Sequence, residues 1–210
     1  MTRRVVLATH NEHKVHELQQ ILGDAELGLE IVSMAAFPEV GEIPETEVTF
    51  VGNARLKAEH VAQRTSLPAL ADDSGLAVEV LGGSPGIFSA RWSGLHEGED
   101  LPRGEKDRRN LRLLLDQLAD VRDEHRRAAF RCAAVLAIPG GTTVTAEGEA
   151  PGVIVREPLG DNGFGYDPIF VPDGDTRTLA QYTDVEKNAI SHRGRAFRAM
   201  VPLLREQLAG

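Results

Sequence analysis

The polar–apolar pattern changes period almost as soon as the chain begins. A β-branched run at residues 5–9 gives way to Val15, Leu18, Ile21 and Leu22, spaced along one helical face, so a strand is expected to feed a helix. Residues 29–33 are expected to return as a second strand. After an acidic, Pro-containing loop, the stripe Phe50, Ala54, Ala58, Val61, Ala62 predicts another amphipathic helix. Strand, helix, strand, helix is the order of an α/β domain.

Beyond Pro68, residues 69–71 and 76–81 read as strands on either side of a turn at Asp72-Asp73-Ser74-Gly75. Gly82-Gly83-Ser84-Pro85-Gly86 reads as a loop and residues 87–92 as a strand. Residues 94–109 form a charged, Gly/Pro-marked connection, long enough to be mobile, that runs into a helix through Leu118. Residues 128–138 and 142–149 are strands joined across Pro139-Gly140-Gly141, where glycine supplies the positive φ of a hairpin, so the sheet is expected to be mixed. A further strand at 169–171 precedes closing helical segments over 185–208, with breaks expected at Gly194 and Pro202. There is no internal repeat.

The 210 residues suit one sizeable domain or two lobes sharing a core, and 41% hydrophobic with 26% charged residues is ordinary globular composition. A formal charge of -9 argues against a general nucleic-acid partner, since neutralising a phosphate backbone needs a basic surface. The sign reverses locally: residues 187–198 hold Lys187, Arg193, Arg195 and Arg198 without a carboxylate, which is either a polyanion patch or a solvated helix face. Cys132 is the sole cysteine, which excludes an intramolecular disulfide; its apolar surroundings predict a buried thiol and fit a reducing, cytoplasmic location. The apolar run at 5–8 is too short for a signal-peptide core or a membrane span.

Several short stretches carry candidate chemistry. Thr9-His10-Asn11-Glu12-His13-Lys14 lies where the first strand meets the first helix, so backbone N–H groups and the helix dipole can face an anion; Thr9 and Glu12 also form a T-x-x-E capping box. His10, His13 and His16 repeat every three residues, but that pitch takes the outer two off a common face, which disfavours a metal site. On extended backbone the side chains of Asp72 and Asp73 point to opposite sides, so one can meet a ligand while structure holds the other. A hard Mg²⁺ ion takes a few carboxylate oxygens and shares its remaining positions with waters and phosphates; Glu45 is a candidate second ligand. Asn162-Gly163-Phe164-Gly165-Tyr166-Asp167-Pro168 sets two aromatics between and beside glycines, an arrangement for stacking a flat ligand or for packing a turn into the core. Ser191-His192-Arg193, just after Lys187, adds donors suited to phosphate or carbonyl oxygens.

In this order, Thr9-x-Asn11-x-x-Lys14, Asp72-Asp73-Ser74-Gly75-Leu76, Gly163-Phe164-Gly165-Tyr166-Asp167-Pro168 and Lys187-Asn188-Ala189-Ile190-Ser191-His192-Arg193, the chain resembles the HAM1/ITPase family of nucleoside triphosphate pyrophosphatases. The resemblance runs over about residues 5–204 and takes in Asn53-Ala54, Lys57 and Gly82-Gly83-Ser84-Pro85-Gly86-Ile87. It implies an elongated α/β fold with a long twisted mixed sheet flanked by helices, two lobes around a central substrate cleft, and a homodimer. The implied activity is Mg²⁺-dependent hydrolysis of ITP, dITP and XTP at the α–β phosphoanhydride bond. Position by position it implies that Thr9, Asn11, Lys14, Lys57, Ser74 and Lys187 hold the triphosphate, with His10, Glu12 and His13 beside it. Glu45 and Asp73 would bind Mg²⁺, Asp73 would also accept the proton, and Phe164, Gly165, Tyr166 and Asp167 with His192 and Arg193 would receive the base. His10 and His13 depart from the small residues of many relatives, and the 94–109 connection is longer than in some. A Maf-like pyrophosphatase and a nucleotide sensor without turnover are the competing readings.

Overall fold

The computed structural model describes residues 3–9, 12–23, 28–94 and 101–208. Its strands are β1 (Arg3–Leu7), β2 (Leu29–Ser33), β3 (Ala69–Val78), β4 (Arg127–Ala137), β5 (Thr143–Ile154) and β6 (Phe170–Pro172), in one sheet of order β2-β1-β3-β4-β5-β6. β1 runs parallel to β2 and β3, whereas β6 lies antiparallel to β5, with Val153 opposite Val171. The helices are α1 (Glu12–Gly23), α2 (Phe50–Thr65), α3 (Arg103–Gln117), α4 (Asp184–Ile190) and α5 (His192–Leu208). The architecture is therefore α/β with a mixed sheet flanked by helices, as the alternation of periods predicts. Among the described residues no helix is long and apolar enough to cross a membrane.

The chain divides into two compact units: the described residues up to Ser74, with Cys132–Gly148 and those from His192 on, form the first, and Gly75–Arg131 with Glu149–Ser191 the second. In the first unit the period-2 alternation of the strands sorts side chains into two cores. Val5, Leu7, Leu70, Cys132, Ala134 and Leu136 pack with Leu18, Ile21 and Leu22 of α1 and Phe197, Met200 and Leu204 of α5. Their sequence neighbours Val6, Ala8, Ala69, Ala71, Ala133 and Val135 pack with Ala54, Ala58, Val61 and Ala62 of α2. Both faces are covered, which is why these strands read as continuous apolar runs. Each fully buried Val, Leu, Ile or Phe side chain contributes about 1.5–3 kcal/mol. α2 starts at Thr49, whose hydroxyl accepts the Gly52 N–H at 3.0 Å.

The second unit has its own core, in which Leu111, Leu114 and Leu118 from the α3 region meet Phe130, Ile154, Ile169 and Phe170. The Phe130 and Phe170 rings meet edge to face, 4.8 Å apart. Arg126 is buried at the edge of this core with its guanidinium on three backbone carbonyls, those of Leu118, Ile154 and Val155, at 2.6, 2.8 and 3.1 Å. These bonds give each nitrogen of the buried guanidinium a carbonyl acceptor.

Three expectations need correction. Asp72-Asp73-Ser74-Gly75 is not a turn but the middle of the continuous strand β3, and residues 79–81 form a 3-10 turn after it. Acidic residues are depleted in strands, yet tertiary partners override that preference when each charge is met. Residues 86–91 are a 3-10 helix, not a strand, because Ser89 Oγ donates back to the Gly86 carbonyl at 2.6 Å and accepts the Leu76 N–H at 2.9 Å. The closing helices break at Ser191, which is extended with its N–H on the Lys187 carbonyl, while Gly194 and Pro202 lie inside α5. Buried Phe197, Met200 and Leu204 hold α5 together across the hydrogen bond that Pro202 cannot make.

α5 begins hard against β5. A Cβ built on Gly148 would collide with the His192 carbonyl and the Ala196 N–H, and stand 3.0 Å from Arg195 Cβ. Gly148→Ala is accordingly expected to cost about 1–3 kcal/mol, read as a lower urea midpoint at unchanged m-value. Gly23→Ala, where a Cβ meets nothing within 4 Å, is the matched control and is expected to leave the midpoint unchanged or slightly raised.

Candidate active site

β3 supplies the centre of the first unit's polar cluster. Because side chains alternate along it, Asp73 points toward α2 and Asp72 and Ser74 toward α5, as the extended-backbone argument requires. Asp73 is 6% exposed; Asn53 Nδ2 donates to its Oδ2 at 3.2 Å and Lys57 Nζ lies 3.4 Å from its Oδ1. The same ammonium donates to Glu45 Oε1 at 2.9 Å. Asn53 and Lys57 are four residues apart on α2 and so share a face. Asn53 Oδ1 also accepts the Glu47 N–H at 2.9 Å, tying the acidic loop that carries Glu45 to the helix. Burial pulls the Lys57 pKa down, but the carboxylates of Asp73, Asp72 and Glu45 outweigh it and hold the ammonium above its ordinary range.

On the opposite side of β3, Arg193 is 1% exposed; its Nε is 3.2 Å from Asp72 Oδ2 and its Nη2 donates to Ser74 Oγ at 2.9 Å. Cys132 Sγ lies 4.0 Å from the same Asp72 oxygen and the cysteine is buried, as its apolar surroundings predict. His192 is also buried, at the first position of α5.

The second unit holds a separate group. Asp167 Oδ2 accepts the Phe164 N–H at 2.8 Å and Lys187 Nζ at 2.8 Å, so one buried carboxylate ties the glycine loop to α4. Gly163 has φ +79, and a Cβ there would strike that carboxylate. Phe164 is half-buried with Lys187 Nζ 4.6 Å from its ring centroid. Gly165 N–H donates to Asp107 Oδ2 at 3.1 Å. Tyr166 differs from the expectation of a stacking ring: it is packed in the core, its hydroxyl donates to the Ser89 carbonyl at 2.9 Å, and burial, then the Asp107 charge, pushes its pKa far up.

The structure thus brings together Glu45, Lys57 and Asp73 in one cluster, Ser74 and Arg193 in another, and Phe164, Gly165, Asp167 and Lys187 in a third. Thr9 is described at the end of β1, its N–H on the Leu7 carbonyl at 2.9 Å. His10 and Asn11 lie outside the described residues, and Glu12, His13 and Lys14 are described only as backbone at the start of α1. The run 187–198 is not one basic surface patch: Lys187 and Arg193 are buried against carboxylates, and Arg195 and Arg198 are exposed on α5. Sequence reasoning gave Asn53 no role and passed over Asp107; both are polar residues on helices that meet a partner 20 and 58 residues further along, at Asp73 and Gly165.

Residues 5–203 match the model of the Ham1 family. The chain belongs to that family. It is 55% identical over 98% of its length to the dITP/XTP pyrophosphatase of Streptomyces coelicolor, of which 98% is covered. A HAM1 protein from Coxiella burnetii superposes with a TM-score of 0.84 at 40% identity, covering 98% of this chain and all of that one. The crystal structure titled nucleoside-triphosphatase and dITP/XTP pyrophosphatase from Mycobacterium abscessus gives 0.74 at 48% identity, covering 95% and 99%. Within this Ham1 chain, two carboxylates that already converge on one cation have the hard oxygen donors a divalent ion of the Mg²⁺ type takes. Among the described residues no group of three or more His, Cys, Asp or Glu offers a denser metal cage.

Two outcomes are expected. Arg193→Ala leaves Asp72 buried without its ion-pair partner and is expected to cost about 3–5 kcal/mol, measured by urea denaturation. Lys57, whose folded pKa lies above 10.5, contributes stability that is fully present below that value and lost as pH rises through the folded one. Lys57→Met should therefore be less stable than wild type at pH 7–9, with the gap in thermal midpoint closing above pH 10.5.

Proposed function

We propose that this chain hydrolyses the triphosphates of non-standard purines, dITP, XTP and ITP, to the monophosphate and pyrophosphate. The observation that carries this is the Glu45–Lys57–Asp73 cluster, a buried pair of carboxylates sharing one ammonium. The name of the Streptomyces coelicolor relative supports the substrate class. Asp73 orients and deprotonates the attacking water, its carboxylate fixed between the Asn53 amide and the Lys57 ammonium. Lys57 and Lys187, with Thr9, Asn11, Lys14 and Ser74, neutralise the triphosphate and stabilise departing pyrophosphate. Glu45 and Asp73 would hold Mg²⁺, which would supply further neutralisation of the phosphates. No covalent nucleophile is required, since positioning and charge stabilisation carry this class of reaction.

Phe164 stacks on the base, and His192 and Arg193 donate to its 6-oxo group, an acceptor that adenine lacks. The Arg193 guanidinium brings an orientation already set by Asp72 and Ser74. A site built to donate to a 6-oxo group leaves those donors unmatched by a 6-amino base, and that mismatch rejects ATP. The working enzyme is a cytoplasmic homodimer.

A substrate panel at fixed Mg²⁺, read as pyrophosphate release, tests this. dITP and XTP are expected to exceed dATP and ATP in kcat/KM by about 100-fold or more. Asp73→Asn is expected to lose about 10²–10⁴-fold in kcat while the fold persists. Tight nucleotide binding without pyrophosphate release would mark a sensor, and preference for modified pyrimidines would mark Maf-like chemistry.

A further inference from the structure

The loop of the second unit that carries Phe164 has little intrinsic rigidity. Gly163 and Gly165 stand on either side of the ring at φ +79 and +63, where glycine moves freely. Two consecutive amides hold it in place. Phe164 N–H is taken by Asp167, which belongs to the same loop, and Gly165 N–H by Asp107, which belongs to α3, 58 residues earlier. Of these two, the second ties the ring's position to α3, an element outside the loop and α4.

α3 is built to serve as that anchor. Asn110, one turn beyond Asp107 on the same face, is 2% exposed; its Oδ1 accepts the Ser93 N–H at 2.7 Å and its Nδ2 donates to the Ala90 carbonyl at 3.1 Å. Leu111 and Leu114 bury the adjoining face in the core. One turn before Asp107, Arg103 lies with Nε 4.0 Å from the Asp107 carboxylate and its guanidinium carbon 5.5 Å from the Phe164 centroid. The helix thus meets the loop twice, through a carboxylate on the backbone and a cation near the ring.

We propose that Asp107 is a positioning residue for base recognition: its bond to Gly165 N–H fixes the Phe164 ring in the orientation that receives the purine. This rests on the proposed function, in which Phe164 stacks on the base. A ring ordered before binding spares the ligand the cost of ordering it, so loss of the anchor should weaken base affinity and leave phosphate affinity intact. Asn keeps an acceptor oxygen at the same position, whereas Ala does not.

The test is calorimetric binding of dIMP and, separately, of inorganic pyrophosphate to wild type, Asp107→Ala and Asp107→Asn in Mg²⁺ buffer, with amide exchange at Gly165 followed in parallel. Asp107→Ala is expected to weaken dIMP about 10-fold or more and speed Gly165 exchange, with pyrophosphate affinity within about threefold, and Asp107→Asn is expected to stay within about threefold on both ligands. Equal dIMP affinity in wild type and Asp107→Ala, or a matching loss for pyrophosphate, overturns the assignment. If Asp107→Ala does not fold, the near-isosteric Asp107→Leu takes its place, and failure of both to fold shows the residue to be structural and also overturns it. Wild type that releases pyrophosphate from dITP yet is insensitive at Asp107 sinks this inference alone; wild type that neither binds dIMP nor turns over dITP sinks the proposed function with it.

Discussion

Two adjacent carboxylates buried in a central strand set the terms for the rest of the first unit. Asp72 and Asp73 cannot share a hydrogen-bonding partner, because consecutive strand residues face opposite sides of the sheet. An unpaired buried carboxylate costs several kcal/mol even after relaxation, so each side has to bring a donor set of its own. α2 brings Lys57 and Asn53 to Asp73, and α5 brings Arg193 to Asp72. Both helices are thereby tied to the sheet by charge as well as by their apolar faces.

That constraint changes the meaning of the chain's charge pattern. The carboxylate-free run at residues 187–198 does not form one basic face: Ser191 breaks the helix within it, Lys187 is drawn to Asp167 in the second unit, and Arg193 to Asp72 in the first. Arg195 and Arg198, three residues apart on α5, stay exposed. Cations held between carboxylates are oriented before a ligand arrives, a property that suits catalysis by positioning. Lys187 and Arg193 lie within the stretch that matches the Ham1 family, and each holds a buried carboxylate in the fold.

The second unit applies the same economy to a loop. Glycines allow the backbone around Phe164 its tight path, and a carboxylate within that path, Asp167, takes both a loop amide and the Lys187 ammonium. The two aromatics of the loop part company: Phe164 stays half-buried under cations, while Tyr166 is drawn into the core and bonded to the Ser89 carbonyl. Spacing alone could not separate them, since both sit beside glycine.

The sequence by itself determined what local periodicity and covalent geometry encode. The strand at 29–33, the helical stripe from Phe50, the glycine hairpin after Ile138 and the buried Cys132 all follow from residues within one or two turns of each other. So does the opposed facing of Asp72 and Asp73, once the backbone is extended, and the order of motifs marked the family. Tertiary structure decided whether that backbone would be extended at all: β3 continues through its acidic pair because Arg193, 121 residues away, and Lys57 meet the charges. It also decided that residues 86–91 coil through Ser89, that α5 runs through Pro202, and that Asp107 reaches Gly165. Each of these rests on a contact between residues far apart in the chain, whose energy is felt only once the elements have packed, and a local pattern carries no record of it.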